Sequence, residues 1–164
     1  MVKKFFMFIF LAVVFTGISN AKTIIFGITN VTVKDDYYTI SQWAKYLEKK
    51  TGYKIKLKIT KTYDEMQYFI ENKSVDIAYI CGATYVFLKK DNVNIKLLAV
   101  PYFRGKPQYY SYIIVPKNSN AKSFLDLEGK RFAFSDPKSN SGSIAPSYYL
   151  YKKGFFYKNF FKEI

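Results

Sequence analysis

Apolar residues fall in short blocks along the chain, and their spacing switches repeatedly between that of a strand and that of a helix. Thr23–Ile28 (TIIFGI) is an apolar run that ends in a polar stretch, Thr29–Asp36, as a buried strand would. Ile40, Trp43, Ala44 and Leu47 then recur at i, i+3, i+4 and i+7. Thr39-x-x-Gln42 has the capping-box form ahead of that face, and Lys49-Lys50 with Gly52 supply the usual stop. Tyr53, Ile55, Leu57 and Ile59 alternate with Lys54, Lys56 and Lys58, the period of a half-buried strand. A second capping box, Thr62-x-x-Glu65, opens a helix with Met66, Phe69 and Ile70 on one face. Val75–Ile80 predicts a third strand, Ala83–Lys90 a short helix and Ile95–Pro101 a fourth strand. Tyr109–Pro116 predicts a fifth strand and Lys130–Phe134 a sixth.

This alternation, with apolar runs for the later strands, is the pattern of βαβ units around a largely parallel sheet covered on both faces. In such sheets ligands sit outside the carboxyl ends of the strands. Three loops qualify: those after Ile28, after Ile80 and after Phe134. Gly and Pro in Phe103–Gln108 mark the one internal boundary.

The first residues have a different logic. Lys3 and Lys4 precede the apolar run Phe5–Gly17, and Ser19-Asn20-Ala21 follows with small residues around Asn20. A charged start, a short apolar stretch and a small-x-small site form a secretory signal peptide. The run is too short for the roughly 20 apolar residues of a bilayer-spanning helix. The expected mature chain starts at Lys22 and is periplasmic.

Composition narrows the chemistry. The 164 residues are 49% hydrophobic and carry a net charge of +14, so a core can form and the surface is basic. The basic residues are Lys except for Arg104 and Arg131, and they are dispersed along the chain. Dispersed Lys reads as compositional bias, and no nucleic-acid partner is expected. Histidine is absent and Cys81 is the lone cysteine, which removes Ser-His and Cys-His catalysis and any internal disulfide. The acidic residues show no metal-ligand spacing, and Asp35-Asp36 reads as a solvated loop. An enzyme is not expected, and neither is a cofactor.

The segment Phe134–Tyr151 (FSDPKSNSGSIAPSYYLY) stands out. Ser135, Ser139, Asn140, Ser141, Gly142 and Ser143 crowd one loop between an alternating run and a helical stretch. Such residues form turns and caps. They also suit an anion, because a helix start leaves backbone N–H groups unpaired and carries partial positive charge.

The chain resembles the phosphate, phosphite and phosphonate solute-binding proteins of bacterial ABC transporters. Four stretches carry the likeness in order: QWAKYLEKKTG (Gln42–Gly52), DIAYICGATYVFL (Asp76–Leu88), LAVPYFRGKPQYYSYIIVPKNS (Leu98–Ser119) and SFLDLEGKRFAFSDPKSNSGSIAP (Ser123–Pro146). The last is the most specific, matching a family signature of the DLKGKRFAFVDPxSxSG type. The likeness spans essentially the whole chain after residue 21, although a family member is about twice as long. It implies that Ser139, Asn140 and Ser141 hold an anion, with Gly142 allowing close backbone approach. It further implies roles for Thr84 and Tyr85, and for Tyr37 or Tyr38, between which spacing does not choose. Asn140 departs from the family's usual hydroxyl residue.

The resulting expectation is an α/β protein of periplasmic binding protein type II-like fold, two lobes joined by a hinge. Residues 1–21 are the signal peptide, 22–101 the first lobe and 102–164 an incomplete second lobe. Its function would be to capture phosphonate, phosphite or phosphate and pass it to an inner-membrane ABC permease. A sensor domain, a non-functional truncated product and a secreted polyanion binder are the alternatives. Phe155, Phe156, Tyr157, Phe160 and Phe161 are expected to lie uncovered, which would make the chain prone to association.

Overall fold

In the computed structural model, residues 22–29 and 37–164 are described; the expected signal peptide and the loop at 30–36 lie outside them. Strand β1 (Thr23–Thr29) is central to a three-stranded parallel sheet of order β2-β1-β3, with β2 at Lys54–Thr60 and β3 at Ile77–Tyr79. Helices α1 (Tyr37–Thr51), α2 (Tyr63–Glu71) and α3 (Gly82–Lys90) alternate with these strands. Register runs Phe26 to Leu57 on one side and Phe26 to Ile77 on the other. Asp76 locks the β3 side of β1, because its carboxylate accepts the Ile25 N–H at 2.7 Å and its own N–H reaches the Ile25 carbonyl.

The helical periodicity is translated directly into packing. Ile40 and Ala44 of α1 are buried, Leu47 packs beside them, and Phe26 and Ile28 meet them from β1. Each fully buried side chain of this size contributes roughly 1.5–3 kcal/mol. Trp43 stands at the edge of this face, with T-shaped contacts to Phe26 at 4.9 Å and Tyr79 at 5.6 Å. Met66 of α2 is completely buried and crosses β1 at Gly27, where an added Cβ would lie 2.7 Å from its sulfur. A side chain at position 27 would have to displace the tip of Met66 and press on Val75.

Two expectations at helix starts part company. The Thr62 hydroxyl caps α2 by accepting the Glu65 N–H at 3.1 Å, while the Glu65 carboxylate returns to the Lys61 N–H at 2.9 Å. Thr39, by contrast, lies inside the first turn of α1, which begins two residues earlier. Thr62 is thus the cap of α2, with the Glu65 carboxylate on the N–H of the residue before the cap and not on that of Thr62 as a full box would have it, whereas Thr39 is not at a cap.

The remaining chain packs around a second apolar cluster. Leu150, Phe160 and Phe161 are its buried centre, surrounded by Phe124, Leu125, Leu127, Phe132, Phe134, Phe155 and Tyr157. Helix α4 (Ala145–Lys152) and the short α5 (Tyr157–Phe160) hold it, and Phe132 stacks on Phe161 at 4.4 Å. This corrects the expectation of an uncovered aromatic end. Phe160 and Phe161 fold back under the 124–134 segment, and of the five aromatics only Phe156 is exposed.

The expected fourth, fifth and sixth strands also need correcting, because 95–101, 109–116 and 130–134 form no strand ladder. A ladder needs a neighbour. On one edge the 130–134 segment meets only the chain at 162–163: Phe132 N–H donates to Glu163 and Lys162 N–H to Lys130. Its other edge and the 112–116 segment line an open groove of about 810 Å³, with no strand between them among the described residues.

Candidate functional site

Three backbone features meet at the loop after Phe134. A single π-type turn, Asn140–Ile144, runs directly into α4, so the loop feeds a helical stretch of 13 residues. Ser139 caps it from extended backbone, and its hydroxyl accepts the Gly142 N–H at 3.1 Å. The Ser143 and Ile144 N–H groups both turn back to the Ser139 carbonyl. The N–H groups of Asn140 and Ser141 therefore remain without acceptors among the described residues. Two adjacent unpaired donors at the positive end of a helix suit an oxyanion.

Side chains complete the arrangement. The Ser139 hydroxyl is almost fully buried and still has its proton to donate, since a hydroxyl donates and accepts. Its cap role and a ligand role are compatible. The Ser141 hydroxyl has no hydrogen-bond partner among the described residues, while its carbonyl accepts from Ser111 Oγ at 2.6 Å. Asn140 Nδ2 donates to the Tyr109 hydroxyl at 3.3 Å, tying the loop to the 109–111 segment. Gly142 is required by proximity: an added Cβ would lie 2.8 Å from Ser135 Cβ, and the Gly142 carbonyl accepts the Ser135 N–H.

The opposite wall of the loop belongs to α2 and α3. Cys81 caps α3, its sulfur accepting the Thr84 N–H at 3.5 Å and lying 3.7 Å from the Lys138 carbonyl. Thr84 is fully buried with its hydroxyl 3.3 Å from that sulfur, so it abuts the loop through Cys81. Lys138 pairs with Asp64 and donates to Gln67 Oε1 at 2.8 Å. Asp136 uses both carboxylate oxygens, one for the Tyr63 N–H at 3.0 Å and one for the Lys138 N–H at 2.8 Å.

Tyr63 lies nearly buried against this group. Burial pushes its phenol pKa up, with the negative potential of Cys81, Asp136 and Tyr109 adding to the effect and the Ser139 hydroxyl opposing it. The phenol stays neutral and can donate. Thr29, at the carboxyl end of β1, is buried with its hydroxyl unpartnered among the described residues.

Ser139, Asn140, Ser141 and Gly142 share one turn, with Thr84 close behind through Cys81. Tyr85 lines a separate groove beside Asp76–Ile80 and the 94–99 segment. Tyr38 is 74% exposed at the start of α1, and Tyr37 is exposed too. Periodicity and loop chemistry gave no hint of Tyr63, Tyr109 or Ser111, which reach the loop only through tertiary contacts. Asp136 was visible within the DP step of the signature, but not its partner.

Known proteins match this chain in sequence and fold. Residues 26–164 match the family described as ABC transporter, phosphonate, periplasmic substrate-binding protein. A phosphonates-binding periplasmic protein of Escherichia coli (strain K12) is 31% identical over 140 residues, covering 80% of this chain and 40% of the relative. The crystal structure of a binding protein component of an ABC phosphonate transporter from Pseudomonas aeruginosa superposes with a TM-score of 0.71 at 24% identity. That match covers 88% of this chain and 50% of the other, so the chain spans about half the length of the proteins it resembles. The structural likeness shows an α/β fold of the periplasmic binding protein type II kind, in its first lobe. On the extent of the family match and the shared identity, the chain belongs to the periplasmic phosphonate substrate-binding proteins of ABC transporters.

Proposed function

We propose that this chain captures a phosphorus oxyanion in the periplasm and presents it to an inner-membrane ABC permease, without catalysing a reaction. The observation that carries the reading is the pair of unpaired N–H groups at Asn140 and Ser141, set beside two serine hydroxyls at the head of a 13-residue helical stretch. An oxyanion there gains charge-assisted hydrogen bonds, each worth roughly 1.5–3 kcal/mol. The helix end adds about 0.3–2 kcal/mol. Association offsets part of this, so a complete pocket binds at about micromolar Kd, or about −8 kcal/mol.

The donors suit phosphonate, phosphite or phosphate alike, since all present a tetrahedral phosphorus bearing at least three oxygens. In this reading residues 1–21 are an export signal cleaved after Ala21, residues 22–101 a first lobe and 102–164 part of a second. Among the described residues no helix is long and apolar enough to cross a membrane. Calorimetric titration with phosphate, phosphite and methylphosphonate tests the proposal. Binding of at least one at micromolar Kd supports it, and failure of all three overturns it.

A further inference from the structure

We infer that Asp136 is a positioning residue for the anion loop, holding it in register against the first helix-bearing unit; this rests on the reading of Ser139–Gly142 as the oxyanion cradle. Asp136 lies three residues before Ser139, and its carboxylate is shared between two backbone donors far apart in the sequence: the Tyr63 N–H at the start of α2 and the Lys138 N–H within its own loop. Its backbone carbonyl also accepts the Ser139 N–H at 2.8 Å. One residue therefore ties the cap residue, the loop backbone and the first turn of α2.

The charge of Asp136 is consumed by this geometry. The Thr62 hydroxyl serves the Glu65 N–H, and the Asp136 carboxylate takes the Tyr63 N–H ahead of it. The start of α2 thus holds an internal anion, whereas the start of the Asn140 turn keeps its donors unpaired. Where the second helix could compete for an oxyanion, Asp136 already sits. The loop is joined to α2 again through Lys138, but that ammonium pairs with Asp64, a mostly solvent-exposed carboxylate, where screening weakens the bond.

Asp136→Asn tests this with little change of shape. An amide offers one acceptor oxygen, so either Tyr63 or Lys138 loses its partner and faces an N–H₂ instead. The expected result is an affinity about tenfold weaker for phosphate, phosphite and methylphosphonate alike, or about 1.4 kcal/mol, measured by calorimetry on protein shown folded by near-ultraviolet circular dichroism. Asp64→Ala, which removes only the exposed ion pair, should bind within about twofold of the parent. A merely structural role would lower the Tm of Asp136→Asn and leave the affinity of the folded protein unchanged, and that outcome overturns the inference while sparing the cradle. If the parent binds none of the three anions, cradle and inference fall together. Should Asp136→Asn not fold, hydrogen exchange on the parent decides: saturating methylphosphonate slows the Tyr63 and Lys138 amides if the inference holds, and leaves both unchanged if it does not.

Discussion

The Ser139 hydroxyl accepts the Gly142 N–H at 3.1 Å, so the residue that heads the candidate anion loop is also the cap of the helix behind it. Ser141, two residues on, has no such duty: its hydroxyl is without a partner among the described residues. The two serines should therefore separate stability from affinity. Ser139→Ala is expected to lower stability by about 1 kcal/mol through the lost cap and to weaken anion binding as well. Ser141→Ala should leave stability unchanged and weaken binding by about tenfold. Denaturant unfolding and calorimetry on the same two variants check this, and equal effects on both quantities would count against the assignment.

Gly142 tests the close approach of the loop to the 135 position. Gly142→Ala drives its new methyl into the Ser135 side chain and against Ser139 Oγ, at 2.8 Å and 3.1 Å. Overpacking of this kind costs about 1–3 kcal/mol. Adding Ser135→Gly should recover a good part of the loss, because it removes the atoms that clash. A double-mutant cycle by thermal unfolding reads the coupling, and strict additivity would contradict the contact.

Tyr63 predicts a feature at alkaline pH. Its folded pKa lies above the ordinary tyrosine value, chiefly through burial. A group raised on folding contributes its stability below the unfolded pKa of about 10 and loses it as pH rises through the folded value. The parent should therefore lose stability relative to Tyr63→Phe above about pH 10, while the difference between them stays constant from pH 7 to 9. Urea unfolding across that range measures it, and parallel profiles up to pH 11 would show that the phenol titrates freely.

The 109–115 segment predicts association. Ile114 is 89% exposed, Tyr110 and Tyr112 are nearly as bare, and among the described residues no backbone hydrogen bond joins Tyr109–Val115 to a neighbouring strand. Extended apolar backbone with open edges pairs with other chains. Light scattering should find species larger than a monomer at concentrations of order 10 µM or above. Ile114→Lys should shift the balance back toward monomer. A parent that stays monomeric with a sharp melt would dismiss this expectation.

Local pattern decided the βαβ half of the molecule. The apolar run at Thr23–Ile28, the alternation over Tyr53–Ile59 and the Thr62-x-x-Glu65 box each specify their own element, because strand period, helix period and cap chemistry all act within a few residues. The small-residue loop was legible for the same reason: a cap serine, a glycine and a helix start lie next to one another in the chain. Other features depended on partners far away in sequence. Lys130–Phe134 and Tyr109–Pro116 have strand-like sequences, yet a strand exists only as a pair, and among the described residues no neighbour fills the groove between them. Phe160 and Phe161 looked uncovered because the local residues Phe155 and Tyr157 cover them only in part; the rest of the cover is Phe124, Leu127 and Phe132, some 30 residues earlier. Asp136 carried its chemistry in plain view, but that its carboxylate would end on the Tyr63 amide, 73 residues away, follows only from how the loop packs on α2. Hydrogen-bonding capacity is a property of the residue, and which donor satisfies it is a property of the fold.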